Sequence, residues 1–149
     1  SKYWSGSVTI YSAKAAKAFV PIELRKKLGD PRQNYSSGSK YIESKKIFTK
    51  VLGEYFRSKM NVDWFVAESG AAEASGLGPR LREAGAFTVV TVLGPNGFEA
   101  TKVIRGGAKD SRVENMWKYT EGALKLLASS VRKVHLTSKS NKSASSSKL

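Results

Sequence analysis

The sequence contains no cysteine, and this absence excludes several kinds of site. Disulfide cross-links, thiolate zinc sites and a cysteine nucleophile cannot occur within these 149 residues. His135 is the single histidine and has no metal-ligating neighbours in the sequence, so neither a metal site nor a cofactor is expected. No apolar run approaches the length of a bilayer span, and no basic start leads into one. Neither a membrane segment nor a secretory signal is therefore expected.

Acidic residues are scarce, with 12 against 26 basic ones, which gives a formal net charge of +14. The excess is uneven along the chain. Residues 1–60 carry thirteen basic and four acidic groups, residues 61–131 carry eight of each, and residues 132–149 carry five basic groups and no acidic one. This distribution favours an anionic partner near the N-terminal half, although a solvated basic surface accounts for it equally well. A nucleic-acid-binding module is a distant alternative, because no RNA- or DNA-binding motif is present.

Hydrophobic periodicity predicts alternating strands and helices. Apolar positions three and four residues apart predict the longest early helix over Ser39–Lys59, and Val62–Ala67 is a short apolar run typical of a buried central strand. Phe87–Leu93 and Phe98–Ile104 flank a turn that contains Asn-Gly, and they predict an antiparallel hairpin. Shorter elements are expected as a strand at Ser7–Tyr11 and as helices at Ala13–Phe19 and Pro21–Leu28.

A final helix is predicted after Asp110, where Ser111 and Glu114 have the spacing of a capping box. The residues expected to form its buried stripe are Val113, Met116, Trp117, Thr120, Leu124, Leu127 and Val131. Together the elements predict an α/β fold over residues 1–134, a three-layer sandwich with a mixed sheet flanked by helices.

Two glycine-containing loops are the candidate ligand sites. Glu68–Pro79 leaves the end of the predicted central strand, where α/β sheets usually bind ligands, and its small residues would let a ligand approach the backbone. Arg105–Asp110 leads into the last helix and offers Arg105 and Lys109 to a phosphate group. A plain flexible connection and solvated side chains are the simpler interpretations of these two loops.

The C-terminal residues 135–149 are rich in serine and lysine and end in Ser147-Lys148-Leu149, the tripeptide that the peroxisomal import receptor binds. Such a composition buries too little apolar surface to offset the entropy of ordering, so a disordered tail is expected. The sequence therefore predicts a peroxisomal location, with the import receptor as a partner.

The order of these segments resembles the CinA C-terminal domain family, whose enzymes are nicotinamide-nucleotide amidases. The resemblance covers about residues 1–131. It rests on a Ser-aromatic-Gly-Val and Tyr-Ser stretch, a glycine-rich loop after a central strand, a Gly-Pro hairpin, the entry to the final helix and a closing Ala-Leu-x-Leu-Leu. In this chain these segments are Ser1–Ser12, Val66–Pro79, Phe87–Gly97, Lys109–Arg112 and Glu121–Leu127.

The resemblance implies hydrolysis of the carboxamide of nicotinamide mononucleotide by a serine that a tyrosine and a lysine assist. Tyr11 matches the family tyrosine. Lys14 and Lys17 flank the position of the family lysine, and Lys17 is preferred because the residues after it are similar to the family's leucine-rich sequel if one residue is inserted. A lysine can accept the serine proton only where its pKa is lowered. The expected substrate-binding residues are Ser69, Gly70, Ser75, Gly76 and Arg105.

The family's nucleophilic serine belongs to a segment that would precede Ser1, and Ser69 is not its equivalent. Glu73 and Ala74 also stand where the family usually has glycine and proline, and a carboxylate there would repel a phosphate. These departures predict a non-catalytic binding or assembling member of the family. The alternative is an amidase-like hydrolase whose nucleophile comes from an N-terminal segment or a partner chain.

The expected partners follow from the same features. An N-terminal segment or further copies of the chain would cover the sheet edge that the departure from the family leaves open. A phosphorylated pyridine nucleotide is the expected small ligand.

Overall fold

The computed structural model describes residues 5–10, 13–28, 37–75, 77 and 82–146. Its helices are α1 (Ala13–Phe19), α2 (Ile22–Leu28), α3 (Gly38–Met60) and α4 (Arg112–Ser146), and its strands are β1 (Phe65–Ala71), β2 (Phe87–Leu93) and β3 (Glu99–Arg105). Single 3₁₀ turns lie at Arg82–Ala84 and Pro95–Gly97.

The three strands form one sheet in the order β1-β2-β3, and both pairs are antiparallel. The predicted α/β class is confirmed, but the described strands are antiparallel throughout and not mixed. Residues 7–10 of the predicted first strand are not in a strand, and Tyr11 lies outside the described residues. The three-layer sandwich stays a prediction.

The centre of the sheet is β2, all seven residues of which are buried. Its odd-numbered side chains contact α3: the rings of Phe87 and Tyr41 meet edge to face at 5.6 Å, and Val89 packs in the same cluster with Ile42. Thr91 Oγ1 lies 2.8 Å from Thr49 Oγ1, so this contact is a buried hydroxyl pair. Helix α3 is therefore held to the sheet by apolar packing, by this buried hydroxyl pair and by an ion pair between Lys50 and Glu99 of β3 at 2.6 Å.

The opposite side of the sheet contacts α4. Gly122 lies so close to Ile104 that a Cβ at this glycine would be 2.4 Å from Ile104 Cδ1. Asn115, Tyr119 and Ser130 are the buried residues on the sheet-facing side of α4, with Gly122, Ala123 and Leu126 half-buried among them. The predicted buried stripe of this helix is wrong, because Val113, Met116, Trp117, Thr120, Leu124 and Val131 are exposed and only Leu127 is half-buried.

The hairpin turn and the two long helices lie where the sequence predicts them, and α4 extends further than predicted. Asn96 and Gly97 have positive φ values of 55° and 71°, as the Asn-Gly turn requires. The Ser111 Oγ accepts from the Glu114 N–H at 3.3 Å, and the Ser111 N–H donates to Glu114 Oε2 at 2.7 Å, which is the predicted capping box. Helix α4 continues to Ser146, through residues predicted to be a disordered tail; residues 132–146 contain no proline or glycine that would stop it.

Candidate functional site

The β1 and β3 strands both end at one end of the sheet, because the register pairs Ala71 with Phe87 and Phe87 with Arg105. The loop after β3 leads from this end into α4, and the start of α3 lies nearby, where the Gly38 N–H donates to Glu83 Oε1. We call this region the Ala71 end of the sheet. The predicted residues Ser69 and Gly70 lie near this end on β1, and Arg105 lies there on β3, with β2 between them.

Asn115 organises the Ala71 end. Its side chain is 1% exposed, and its Nδ2 donates to the Ala72 carbonyl oxygen at 3.0 Å while its Oδ1 accepts from the Gly107 N–H at 2.9 Å. A Cβ on Gly106 would lie 2.4 Å from Asn115 Oδ1, so the loop can pass this side chain only with glycine at this position. One amide thus connects the end of β1, the loop after β3 and helix α4.

Tyr119 lies one turn after Asn115 and is also buried. Its hydroxyl donates to the Ala71 carbonyl oxygen at 3.3 Å. Burial raises the pKa of the Tyr119 phenol, and the carboxylates of Glu68 and Asp110 raise it further. The phenol therefore stays protonated at neutral pH and acts here as a hydrogen-bond donor to the strand end.

Charged side chains at the start of α4 pair with one another and with nearby backbone groups. Asp110 forms an ion pair with Lys118 and accepts from the Gly107 N–H at 3.1 Å. The hydrogen bond from Lys118 is the largest cause that lowers the pKa of the Asp110 carboxyl. Since Ser111 and Glu114 already cap the helix, a phosphate bound at this N-terminus would have to displace side chains of the protein.

Arg105 takes part in the fold at this end of the sheet. Its guanidinium donates to the Ala84 carbonyl oxygen and so ties β3 to the 3₁₀ turn before β2. Lys109, the second cation of the predicted phosphate loop, is exposed. Of these two cations, Arg105 forms a hydrogen bond within the fold, whereas the Lys109 side chain faces solvent and forms no hydrogen bond or ion pair with a described residue.

Ser69 and Gly70 belong to β1 and not to a loop. The predicted strand therefore ends too early, at Ala67, whereas β1 continues to Ala71. Ser69 pairs with Val89 on the side of the sheet that faces α3. A Cβ at Gly70 would lie 2.1 Å from the Phe87 carbonyl oxygen, which explains the glycine by close approach of β2 and not by a bound ligand. Ser75 is exposed and donates to Glu73 Oε2 at 3.0 Å, and Gly76 lies outside the described residues.

The predicted catalytic lysines lie elsewhere. Lys14 and Lys17 are exposed on α1, and the segment that follows packs through Val20 against Leu52 and Phe56 in the second half of α3. Ser69 pairs with Val89, which packs with Tyr41 and Ile42 in the first half of α3. Among the described residues, no hydrogen bond or ion pair joins either lysine to the Ala71 end. Tyr11 lies outside the described residues.

Lys45 is a residue that sequence reasoning missed. Its ammonium lies 5.2 Å from the centre of the Tyr41 ring and 5.1 Å from that of Phe48, so it is half-buried between two aromatic side chains. Burial lowers the pKa of Lys45, and the nearby Glu68 carboxylate opposes this effect. Its spacing of four residues from Tyr41 and three from Phe48 on one helix was a signal available in the sequence.

Within the described part of the chain, no three metal-ligating side chains gather in one place, and no helix has the length and apolarity to cross a bilayer. Comparisons of the chain with models of protein families, with curated proteins and with solved structures gave no match.

Proposed function

We propose that this chain is a non-catalytic binding or assembling protein of the peroxisome, similar to the CinA C-terminal domain family. The observation that supports it is the separation of the two sets of predicted residues. Lys14 and Lys17 are exposed on α1, while Ser69, Gly70 and Arg105 are built into the sheet and its connections. Groups held apart in this way can support a fold and a surface, but they do not form one site in which a lysine could act on a substrate bound at Ser69, Gly70 and Arg105.

The small ligand that we propose is a phosphorylated pyridine nucleotide, bound near the Ala71 end. Lys109 and Arg112 are exposed there and supply positive charge to a phosphate. Isothermal titration with nicotinamide mononucleotide tests this proposal, with nicotinamide riboside as the probe that lacks the phosphate. Tighter binding of the mononucleotide is expected.

A charge-reversal pair locates the binding. Lys109→Glu should weaken binding of the mononucleotide. Lys26→Glu, which makes the same charge reversal on the exposed helix α2, should leave binding unchanged. Equal loss in both variants would indicate a general charge effect. No heat of binding with the mononucleotide would contradict the ligand proposal.

Lys45 favours a second candidate, the amidase-like hydrolase whose serine comes from an N-terminal segment or a partner chain. A half-buried lysine with a lowered pKa is the kind of group that can accept a proton from a serine hydroxyl. Ammonia release from nicotinamide mononucleotide by the full natural protein tests it. Release that Lys45→Met abolishes and Lys46→Met preserves would favour the hydrolase over the binding protein.

The peroxisomal location is proposed from Ser147-Lys148-Leu149, which lies outside the described residues. A fluorescent protein joined to the N-terminus of the chain should concentrate in peroxisomes. The same fusion without the last three residues is the matched control and should spread through the cytosol. A diffuse signal from the complete fusion would contradict the proposal.

A further inference from the structure

Helix α4 has a second apolar face that points away from the sheet. Its side chains are exposed over large fractions of their surface: Val113 by 61%, Met116 by 49%, Trp117 by 71%, Leu124 by 62% and Val131 by 39%. At 100° per residue the centre of this stripe lies about 140° around the helix from the side of Asn115 and Tyr119, which face the sheet. Each side chain of the stripe leaves more than a third of its surface exposed in the described structure. A contiguous apolar stripe of this kind on a helix marks an interaction surface.

The charged residues beside the stripe have a self-complementary order. Glu114 and Glu121 precede Lys125 and Arg132 along one flank of the helix, at successive spacings of seven, four and seven residues. All four side chains are exposed. These four positions are symmetric about residue 123, with the acidic groups on one side and the basic groups on the other. Lys118 lies on the same flank between the two glutamates, but its ammonium is paired with Asp110. In a pair of antiparallel α4 helices, Glu121 of each chain would lie opposite Lys125 of the other, and Glu114 of each chain would lie opposite Arg132 of the other. Each of these two contacts would therefore occur twice.

A parallel arrangement lacks this complementarity. Residues 122–137 contain Lys125, Arg132 and Lys133 and no acidic residue, so two parallel helices would bring like charges together. The ion pair between Lys125 and Glu121 within one chain, at 2.6 Å, is exposed at both ends. Such a pair contributes little by itself, and either partner can exchange to a neighbouring chain at small cost.

We propose that a second copy of this chain covers the stripe, with the two α4 helices antiparallel about a two-fold axis near residue 123. The contact would extend over about 27 Å, the length of a helix from residue 113 to residue 131. The same patch serves both chains, so the assembly closes as a dimer. The Trp117 ring from each chain lies within the contact, where an aromatic anchor adds most to affinity. This inference does not depend on a small ligand.

Sedimentation velocity of the full chain over about a hundredfold range of concentration tests the proposal, with a monomer–dimer equilibrium as the expected result. Leu124→Glu should weaken the dimer by about a hundredfold or more, because the substitution places a carboxylate in the apolar contact. Ile47→Glu is the matched control: Ile47 is 59% exposed on α3, so this change adds the same charge at an apolar surface position away from α4. It should leave the dimer intact. Circular dichroism verifies that both variants fold.

Charge exchange tests the antiparallel direction. Glu121→Lys alone places two cations opposite each other at two symmetric positions and should weaken the dimer by about threefold to about tenfold. Adding Lys125→Glu restores opposite charges and should restore the affinity. A monomer at every concentration would overturn the proposal and assign the stripe to a different protein. A dimer that resists Leu124→Glu would overturn α4 as the interface, and a double variant no tighter than Glu121→Lys would overturn the antiparallel packing.

Discussion

The Asn115 side chain donates from Nδ2 to the Ala72 carbonyl oxygen at 3.0 Å, across 43 residues of sequence, and this hydrogen bond fixes the start of α4 at the end of β1. The same amide accepts from the Gly107 N–H at 2.9 Å. Because Asn115 is 1% exposed, water cannot replace either bond. Asn115 therefore joins α4, the end of β1 and the loop after β3 through a side chain that is shielded from water.

Asn115→Ala should reduce the free energy of unfolding by about 2–4 kcal/mol, because it leaves a carbonyl and an N–H buried without partners. Chemical denaturation at neutral pH measures the change. Ser129→Ala is the control: this serine is exposed on the same helix and donates only to the Leu126 carbonyl, so its loss should change stability by less than about 0.5 kcal/mol. Similar losses in both variants would show that the amide has no special role.

Gly70→Ala should disrupt the pairing of β1 with β2. The added Cβ would meet the backbone of Phe87 and Thr88, at 2.1 Å and 2.5 Å, and a backbone cannot move aside as a side-chain end can. We expect a loss of about 1–3 kcal/mol or more in the free energy of unfolding.

Ser69→Ala is the matched control for Gly70→Ala, because it alters the neighbouring residue of the same strand and introduces no new atom. Thermal unfolding should show a clear decrease in Tm for the glycine variant and a small one for the serine variant. A stable Gly70→Ala protein would mean that β1 can shift away from β2, and the close approach would then not explain this glycine.

Much of the local structure could be predicted from the sequence. The hairpin of β2 and β3, the extent of α1 and α3, and the capping box of Ser111 and Glu114 all depend on residues close together in the chain. Local patterns determine such features because the interacting groups are a few residues apart.

The buried face of α4 could not be predicted in the same way. Apolar periodicity selected Val113, Trp117 and Leu124, yet the sheet packs against Asn115, Tyr119 and Gly122. Gly122 allows Ile104 to approach the helix axis. The Asn115 amide donates to the Ala72 carbonyl oxygen, and the Tyr119 hydroxyl donates to the Ala71 carbonyl oxygen. These partners are more than 40 residues away, so no helical pattern contains that information.

The ion pair of Asp110 and Lys118 should contribute to stability only above strongly acidic pH. Because the Lys118 hydrogen bond is the largest cause that lowers the pKa of Asp110 from 3.8, the stabilisation is complete above that value and is lost as pH falls through the folded-state pKa. In Lys118→Met the pKa of Asp110 should return toward its ordinary value, as carboxyl NMR titration would show. Lys26→Met, which breaks the exposed pair with Glu23, is the control and should leave the Asp110 titration unchanged.

Lys45 should make the protein more stable as pH rises through the alkaline range. Burial lowers its pKa from 10.5, so between the folded-state pKa and 10.5 the unfolded chain holds a proton that the folded chain has lost. The free energy of unfolding therefore increases with pH over this window and is constant, for this group, below it. Lys45→Met keeps an apolar side chain against Tyr41 and Phe48 but removes the titrating group, so the increase should disappear.

Lys46→Met isolates this effect, because Lys46 is the next residue of α3 and its ammonium pairs at the surface with Glu43 at 2.6 Å. Denaturant unfolding of the wild type and both variants from neutral to alkaline pH measures the slopes. The alkaline increase should persist in Lys46→Met and vanish in Lys45→Met, since only Lys45 is held between two rings. An increase of equal size in all three proteins would show that the Lys45 ammonium remains hydrated in the folded chain, and the lysine would then lack the lowered pKa that a proton acceptor needs.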